Sequence, residues 1–127
     1  MKVLLDTHTF IWADAEPHRL SGVVAEAIRD PGNEVLLSVV SLWEIQIKVM
    51  LGKLALRAPL EQILDDQDAN GISMLELTTG HVLALSALPP LHRDPFDRML
   101  AAQASAENAV LATGDQTLAT YPIRTLW

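Results

Sequence analysis

Four acids lie far apart in the chain, and they are the residues through which this sequence could do chemistry: Asp6, Glu44, Asp97 and Asp115. Carboxylates brought close together repel one another and raise each other's pKa, so a cluster of them calls for a cation. The chain contains no cysteine, which leaves only oxygen-rich ligand sets here. Oxygen ligands select hard ions, Mg²⁺ or Mn²⁺. Such sites activate water and neutralise phosphate oxygens. Phosphodiester hydrolysis is the natural chemistry of this set.

Each acid also has an ordinary structural explanation. Ser41-x-x-Glu44 is a capping-box pattern, and Glu44 can pair with Lys48 one helical turn on. Asp6, Asp94 and Asp115 suit helix N-caps at strand-to-helix turns. Asp97 is the hardest to explain away. Asp94 and Pro95 open a helix in which Asp97 falls in the first turn. Leu100, Ala101 and Ala104 follow Asp97 on one small apolar face. The positive end of the helix dipole favours the ionised carboxylate, so Asp97 reads as a metal ligand rather than a proton donor.

The elements that must position these acids follow from the hydrophobic pattern. Lys2 to Leu5, Glu34 to Ser38, Ile72 to Leu77 and Ala109 to Ala112 read as strands, and Ile123 to Leu126 as a fifth. Helices are expected over Thr7 to Ala15, from Leu20-Ser21 through Ile28, and over Ser41 to Leu51. Others follow at Pro59 to Asp68, Thr78 to Leu88 and from Asp94 onward. Buried strands without alternation, separated by helices, indicate an α/β/α sandwich with a central parallel sheet of four to five strands. The strands' C-terminal ends and the following helices' N-termini then share one edge, where ligand sites form. Asp6 ends the first strand, and Glu44 is expected in the first turn after the second. Asp97 opens the helix before the fourth strand, and Asp115 follows that strand. All four are expected to converge.

At 127 residues the chain reads as one domain spanning positions 1–127. A net charge of −7 argues against broad nonspecific nucleic-acid binding, although a carboxylate site looks acidic until its cations are counted. No apolar run is long enough to span a membrane, and the first residues do not form a signal peptide, so a cytoplasmic protein is expected. Glu61, Asp65, Asp66 and Asp68 read as a solvated helix face.

The segments Val3-Leu4-Leu5-Asp6-Thr7-His8, Ser41-Leu42-Trp43-Glu44-Ile45, Asp94-Pro95-Phe96-Asp97-Arg98 and Ala112-Thr113-Gly114-Asp115 resemble the successive motifs of PIN-domain proteins. Within that family they are similar to the VapC-type toxins of prokaryotic type II toxin–antitoxin pairs. The resemblance covers nearly the whole chain, in order. It implies a PIN-like fold and a metal-dependent endoribonuclease acting on RNA with Mg²⁺ or Mn²⁺. The acidic site would fall on Asp6, Glu44, Asp97 and Asp115. It further implies a homodimer held inactive by a small VapB-like antitoxin. Asp94 reads as a cap first and an auxiliary carboxylate second. Where many relatives carry a small residue after the third acid, this chain has Arg98.

On this reading Asp6 and Asp97 hold the principal ion, and Glu44 and Asp115 complete the shell directly or through water. Thr7 and Thr113 adjoin two of the acids and either orient them or serve the turns. Arg93 and Arg98 flank the site and either touch RNA phosphates or balance local acids. His8, His81 and His92 show no zinc-binding pattern and read as structural or exposed. Trp43 reads as core or dimer interface. Two alternatives remain. An aspartyl phosphoryl-transfer enzyme would need a second Asp after Asp6 and a later lysine, but the lysines are Lys2, Lys48 and Lys53. A noncatalytic binding module on the same fold is the other.

Overall fold

The computed structural model describes residues 1–127. Its strands are β1 (Lys2–Leu5), β2 (Glu34–Ser38), β3 (Ile72–Leu75), β4 (Val110–Ala112) and β5 (Thr125–Leu126). Its helices are α1 (Thr7–Ala15), α2 (Gly22–Arg29), α3 (Val39–Met50), α4 (Leu60–Ala69), α5 (Thr79–Ala84) and α6 (Pro95–Ala106). The five strands form one parallel sheet in the order β3-β2-β1-β4-β5. The chain builds outward from β1 to β3, then returns to lay β4 and β5 on the other side of β1. The direction of winding therefore reverses between β1 and β4, which is where parallel α/β sheets open a crevice.

The apolar strands are buried because both faces of the sheet are covered. Leu4, Leu36 and Leu111 point to one side, where Leu100, Ala101 and Ala104 of α6 pack on them. Val3, Leu5, Val35 and Leu37 point to the other. There they meet Phe10 of α1, Val24 of α2, Ile45 of α3 and Ile63 of α4. Three layers result, as the sequence pattern implied. Burial of each such side chain contributes roughly 1.5–3 kcal/mol. The small Ala101 and Ala104 let α6 lie close against the sheet, and both are essentially inaccessible to solvent.

Several boundaries differ from the sequence expectation. Helix α3 begins at Val39, not Ser41, because the Ser38 hydroxyl accepts the Val40 N–H at 3.0 Å and starts the helix directly off β2. Ser41 is thus buried inside the helix, no capping box joins it to Glu44, and Glu44 lies in the second turn. Strand β3 stops at Leu75 rather than Leu77. The expected helix over Thr78 to Leu88 is α-helical only to Ala84, and a 3₁₀ turn at Leu85–Ala87 closes it before Pro89-Pro90. Glu61, Asp65 and Asp68 are solvated as expected, while Asp66 accepts from Arg57 at 2.8 Å.

His81 has a structural role. Its backbone N–H donates to Thr78 Oγ1 at 3.2 Å, and its Nδ1 accepts the Thr78 N–H at 3.1 Å. Its Nε2 then meets Glu107 at 2.8 Å, tying α5 to the end of α6. The His81 hydrogen bond holds the Glu107 carboxyl below its ordinary value of 4.5, against the opposing effect of burial. The stability this contributes is present above that ordinary value and is lost as pH falls through the lowered folded value. Glu107→Gln is therefore expected to melt below the parent at neutral pH. The gap should close as pH falls through that lowered value in thermal denaturation.

Candidate metal centre

The carboxyl edge of the sheet collects the acids element by element. Asp6 leaves β1 and caps α1, accepting the Thr9 N–H on Oδ1 at 2.8 Å. Its own N–H donates to the Ala112 carbonyl at 3.1 Å, which fastens it to the end of β4. Asp115 follows β4 and accepts the N–H groups of Thr117 and Leu118 on Oδ1 at 2.8 and 3.2 Å. Thr113 shapes that loop, its hydroxyl oxygen accepting the Asp115 N–H at 3.0 Å. Asp94 caps α6, accepting from Phe96 and Asp97 at 2.8 and 3.3 Å. Three of these acids spend one oxygen on a local cap or turn, and neither Asp6 nor Asp94 shows a hydrogen bond to its second oxygen. Capping and ligation are compatible in the same carboxylate.

Asp6, Asp97 and Asp115 line one cleft of about 650 Å³. Glu44 stands behind it. It is 2% exposed, its Oε1 accepts the Thr7 hydroxyl at 2.7 Å, and its Oε2 is paired with Lys48. The Thr7 oxygen is also 2.9 Å from Ser41 Oγ, so the helix that carries Glu44 is pinned to the residue after Asp6. Both Glu44 oxygens are engaged by protein. Arg93 is exposed. Arg98 is partly buried, and its Nε has no partner.

Asp97 departs from the sequence expectation in its charge. Burial, then the nearby charges of Asp94 and Glu44, push its carboxyl up from 3.8 to about 7, with Asp6 adding to the effect and His92 opposing it. The helix dipole contributes at most about 2 kcal/mol at a partly buried position, about 1.5 pH units, and cannot compensate. Without a cation, then, Asp97 does not sit comfortably ionised. That is the behaviour of a carboxylate placed for a positive partner. The surrounding donors are oxygens apart from one imidazole, so a hard divalent ion fits the set.

The imidazole is His92. Its Nε2 is 3.0 Å from Asp115 Oδ2 and 3.2 Å from Asp97 Oδ2, bridging two of the acids. The Asp94 N–H donates to Nδ1 at 3.0 Å. That nitrogen must therefore be bare, and the proton sits on Nε2 facing the carboxylates. Burial lowers the affinity of this ring for a further proton, yet the Asp115 hydrogen bond and the charges of Asp97, Asp115 and Asp94 outweigh it. The net shift is upward, although protonating Nδ1 would break the bond from Asp94. Burial likewise raises the Asp115 carboxyl, but hydrogen bonds from His92, Leu118 and Thr117 hold it below 3.8.

Residues 3–123 match the PIN domain family. The chain belongs to the PIN-domain family. This PIN domain is 30% identical over 120 residues to Ribonuclease VapC22 of Mycobacterium tuberculosis, a match covering 94% of this chain and 91% of the relative. Its fold is that of VapBC2 from Rickettsia felis, solved bound to a DNA fragment from their promoter. That match has a TM-score of 0.72 and 20% identity, over 99% of this chain and 98% of the other. VapBC-1 from nontypeable Haemophilus influenzae matches with a TM-score of 0.67 and 18% identity, over 99% and 97% of the two chains.

Sequence reasoning about this PIN domain missed His92, which it set aside as structural or exposed. The ring is instead at the centre of the acid cluster. A signal existed in its place two residues before a capping Asp, where Nδ1 can take the cap residue's N–H. The approach of Asp115 was not visible locally. Trp43 is not core: it is 61% exposed and packs edge-on to Phe96 at 5.1 Å.

With its proton on Nε2, His92 competes with a cation for Asp97 and Asp115. His92→Ala is expected to tighten Mn²⁺ binding by about fivefold, the equivalent of one hydrogen bond of ~1 kcal/mol. Isothermal titration with Mn²⁺ reads this directly. Weakened binding would instead make His92 a ligand.

Proposed function

We propose that residues 1–127 form one PIN domain that works as a Mg²⁺- or Mn²⁺-dependent endoribonuclease, the toxin of a toxin–antitoxin pair. The observation that carries this reading is the cleft shared by Asp6, Asp97 and Asp115, in which Asp97 carries a carboxyl raised for want of a positive partner. Its likeness to Ribonuclease VapC22 supports RNA as the substrate. The VapBC folds it shares support a VapB-like antitoxin as partner.

Asp6 and Asp97 would hold the ion, with Asp115 beside them. When bound, a divalent ion supplies positive charge that lowers the pKa of water and neutralises phosphate oxygens. The chain's own groups do the rest. Asp6 and Asp115 are immobilised by the N–H groups they accept, so their second oxygens keep a set direction, that of Asp6 free and that of Asp115 beside His92. Glu44, locked by Thr7 and Lys48, adds negative charge behind the ion without offering a free oxygen. Asp94 serves α6 as its cap and adds charge near Asp97. Thr113 holds the Asp115 loop. Arg93 is the exposed cation next to the site and can reach phosphate.

A homodimer fits the exposed apolar side chains Met50, Leu51 and Trp43 on and just beyond α3. A cytoplasmic location belongs to the same reading, with RNA as the substrate; no helix is long and apolar enough to cross a membrane. The deciding experiment is cleavage of total cellular RNA by the purified chain, with Mn²⁺, with Mg²⁺ and with chelator. Metal-dependent cleavage supports the reading. Intact RNA in every condition, including specific structured RNAs, favours a noncatalytic module.

A further inference from the structure

The cleft has a second end that the acids do not explain. It is formed by Trp12, Trp127, His8 and Arg19. The rings form a connected row. His8 and Trp12 have centroids 6.0 Å apart, and Trp12 and Trp127 are 5.8 Å apart, both pairs tilted. The Arg19 guanidinium lies 4.7 Å from the Trp12 ring centroid. Trp127 is seated on Gly114, the residue before Asp115. A Cβ there would fall 3.1 Å from the indole, closer than ordinary packing. Glycine therefore lets the ring lie against the very loop that carries an acid of the site.

Phe10 and Tyr121 are buried in the core. Trp12 and Trp127 are instead spent on the wall of a polar cleft, and Trp127 is 41% exposed. A partly exposed indole beside a phosphate-cleaving site is a surface for a nucleobase. The volume of about 650 Å³ is enough for a nucleotide unit reaching from the acids to the rings. The charge balance adds a reason. At −7 the chain gains little from phosphate attraction, whereas stacking on a base does not depend on net charge.

We propose that Trp12 and Trp127 form a base-stacking subsite that seats the nucleobase next to the scissile phosphate, with Arg19 at its rim to meet the neighbouring phosphate. The inference rests on the ribonuclease reading above. It makes the two tryptophans positioning residues. The base they take must be unpaired, because a base inside a duplex has no free face to offer.

The test is binding to the full chain carrying Asp97→Asn, so that turnover does not intervene. The probe is a short unstructured oligoribonucleotide of mixed sequence, labelled for fluorescence anisotropy, beside a twin in which every base is removed. Trp12→Leu and Trp127→Leu are each expected to weaken binding of the base-bearing probe by about tenfold or more, with the abasic twin unaffected. Trp12→Phe should recover most of the loss, which separates stacking from mere packing. Equal weakening for both probes, or no weakening for either, overturns the subsite. In parallel, the unsubstituted chain is assayed for cleavage. Base-dependent binding without cleavage would sink the nuclease reading while the subsite stands. Cleavage with unchanged binding in both tryptophan variants would sink the subsite alone. Failure to bind either probe would overturn the subsite, and the cleavage assay then decides the nuclease reading by itself.

Discussion

Asp97→Asn is expected to lower metal-dependent RNA cleavage by at least about 10³-fold and to raise the melting temperature of the metal-free protein. The first effect follows if Asp97 is the charged oxygen ligand proposed above, since a bound ion would supply several kcal/mol of charge stabilisation. The second follows from electrostatics. Asp97 sits partly buried among Asp94, Glu44 and Asp6, an arrangement that pushes its carboxyl up to about 7. An amide keeps the shape and removes the repulsion. His92 Nε2, 3.2 Å from Asp97 in the parent, can still donate to the amide oxygen. Mn²⁺ should then stabilise the parent strongly and the variant little, because a ligand stabilises in proportion to its affinity for the folded state. Activity assays and thermal melts with and without Mn²⁺ measure both arms. A variant that loses activity and also melts lower would point to a structural role for the carboxylate.

Glu44→Gln is expected to keep the fold and lower cleavage by roughly 10- to 100-fold, the range for residues that act on a metal site through others. Glu44 has no free oxygen: Thr7 takes one and Lys48 the other. The amide oxygen of Gln can still accept the Thr7 hydroxyl, so the tether between α1 and α3 survives. What is lost is one negative charge behind the site. Thr7→Val should move activity in the same direction by less, since it frees the carboxylate without neutralising it. Single-turnover cleavage rates at saturating Mn²⁺ compare the variants. If Glu44→Gln matches Asp97→Asn in severity, Glu44 turns outward and ligates the ion directly.

These two residues also mark how far the sequence could be read. The placement of Asp97 was legible because its neighbours are local: a capping Asp94, a Pro95 and an apolar face at helical spacing. Its ionisation was legible only in part: Asp94 is a local charge, but the burial that pushes the carboxyl up most, and the charges of Glu44 and Asp6, come from the packing of other elements. Glu44 shows the same limit in geometry. The pattern from Ser41 suggested a capping box, but Ser38 starts the helix three residues earlier and Ser41 faces Thr7 instead. A local motif lost to a contact from α1, a segment more than thirty residues away.

Strand and helix order, the parallel sheet, the apolar face of α6 and the gathering of acids at one edge were determined by the sequence itself. They depend on periodicity and capping, which act over a few residues, and on the geometry that parallel crossovers impose. The tertiary structure alone decided which acids line the cleft and that Glu44 stands behind it. It alone set His92 between Asp97 and Asp115 and brought Trp12 against Trp127. The contact of Trp12 with Trp127 joins opposite ends of the chain, and that of His92 with Asp115 joins the segment before α6 to the loop after β4. Burial and charge there are properties of the assembled edge, not of any one segment.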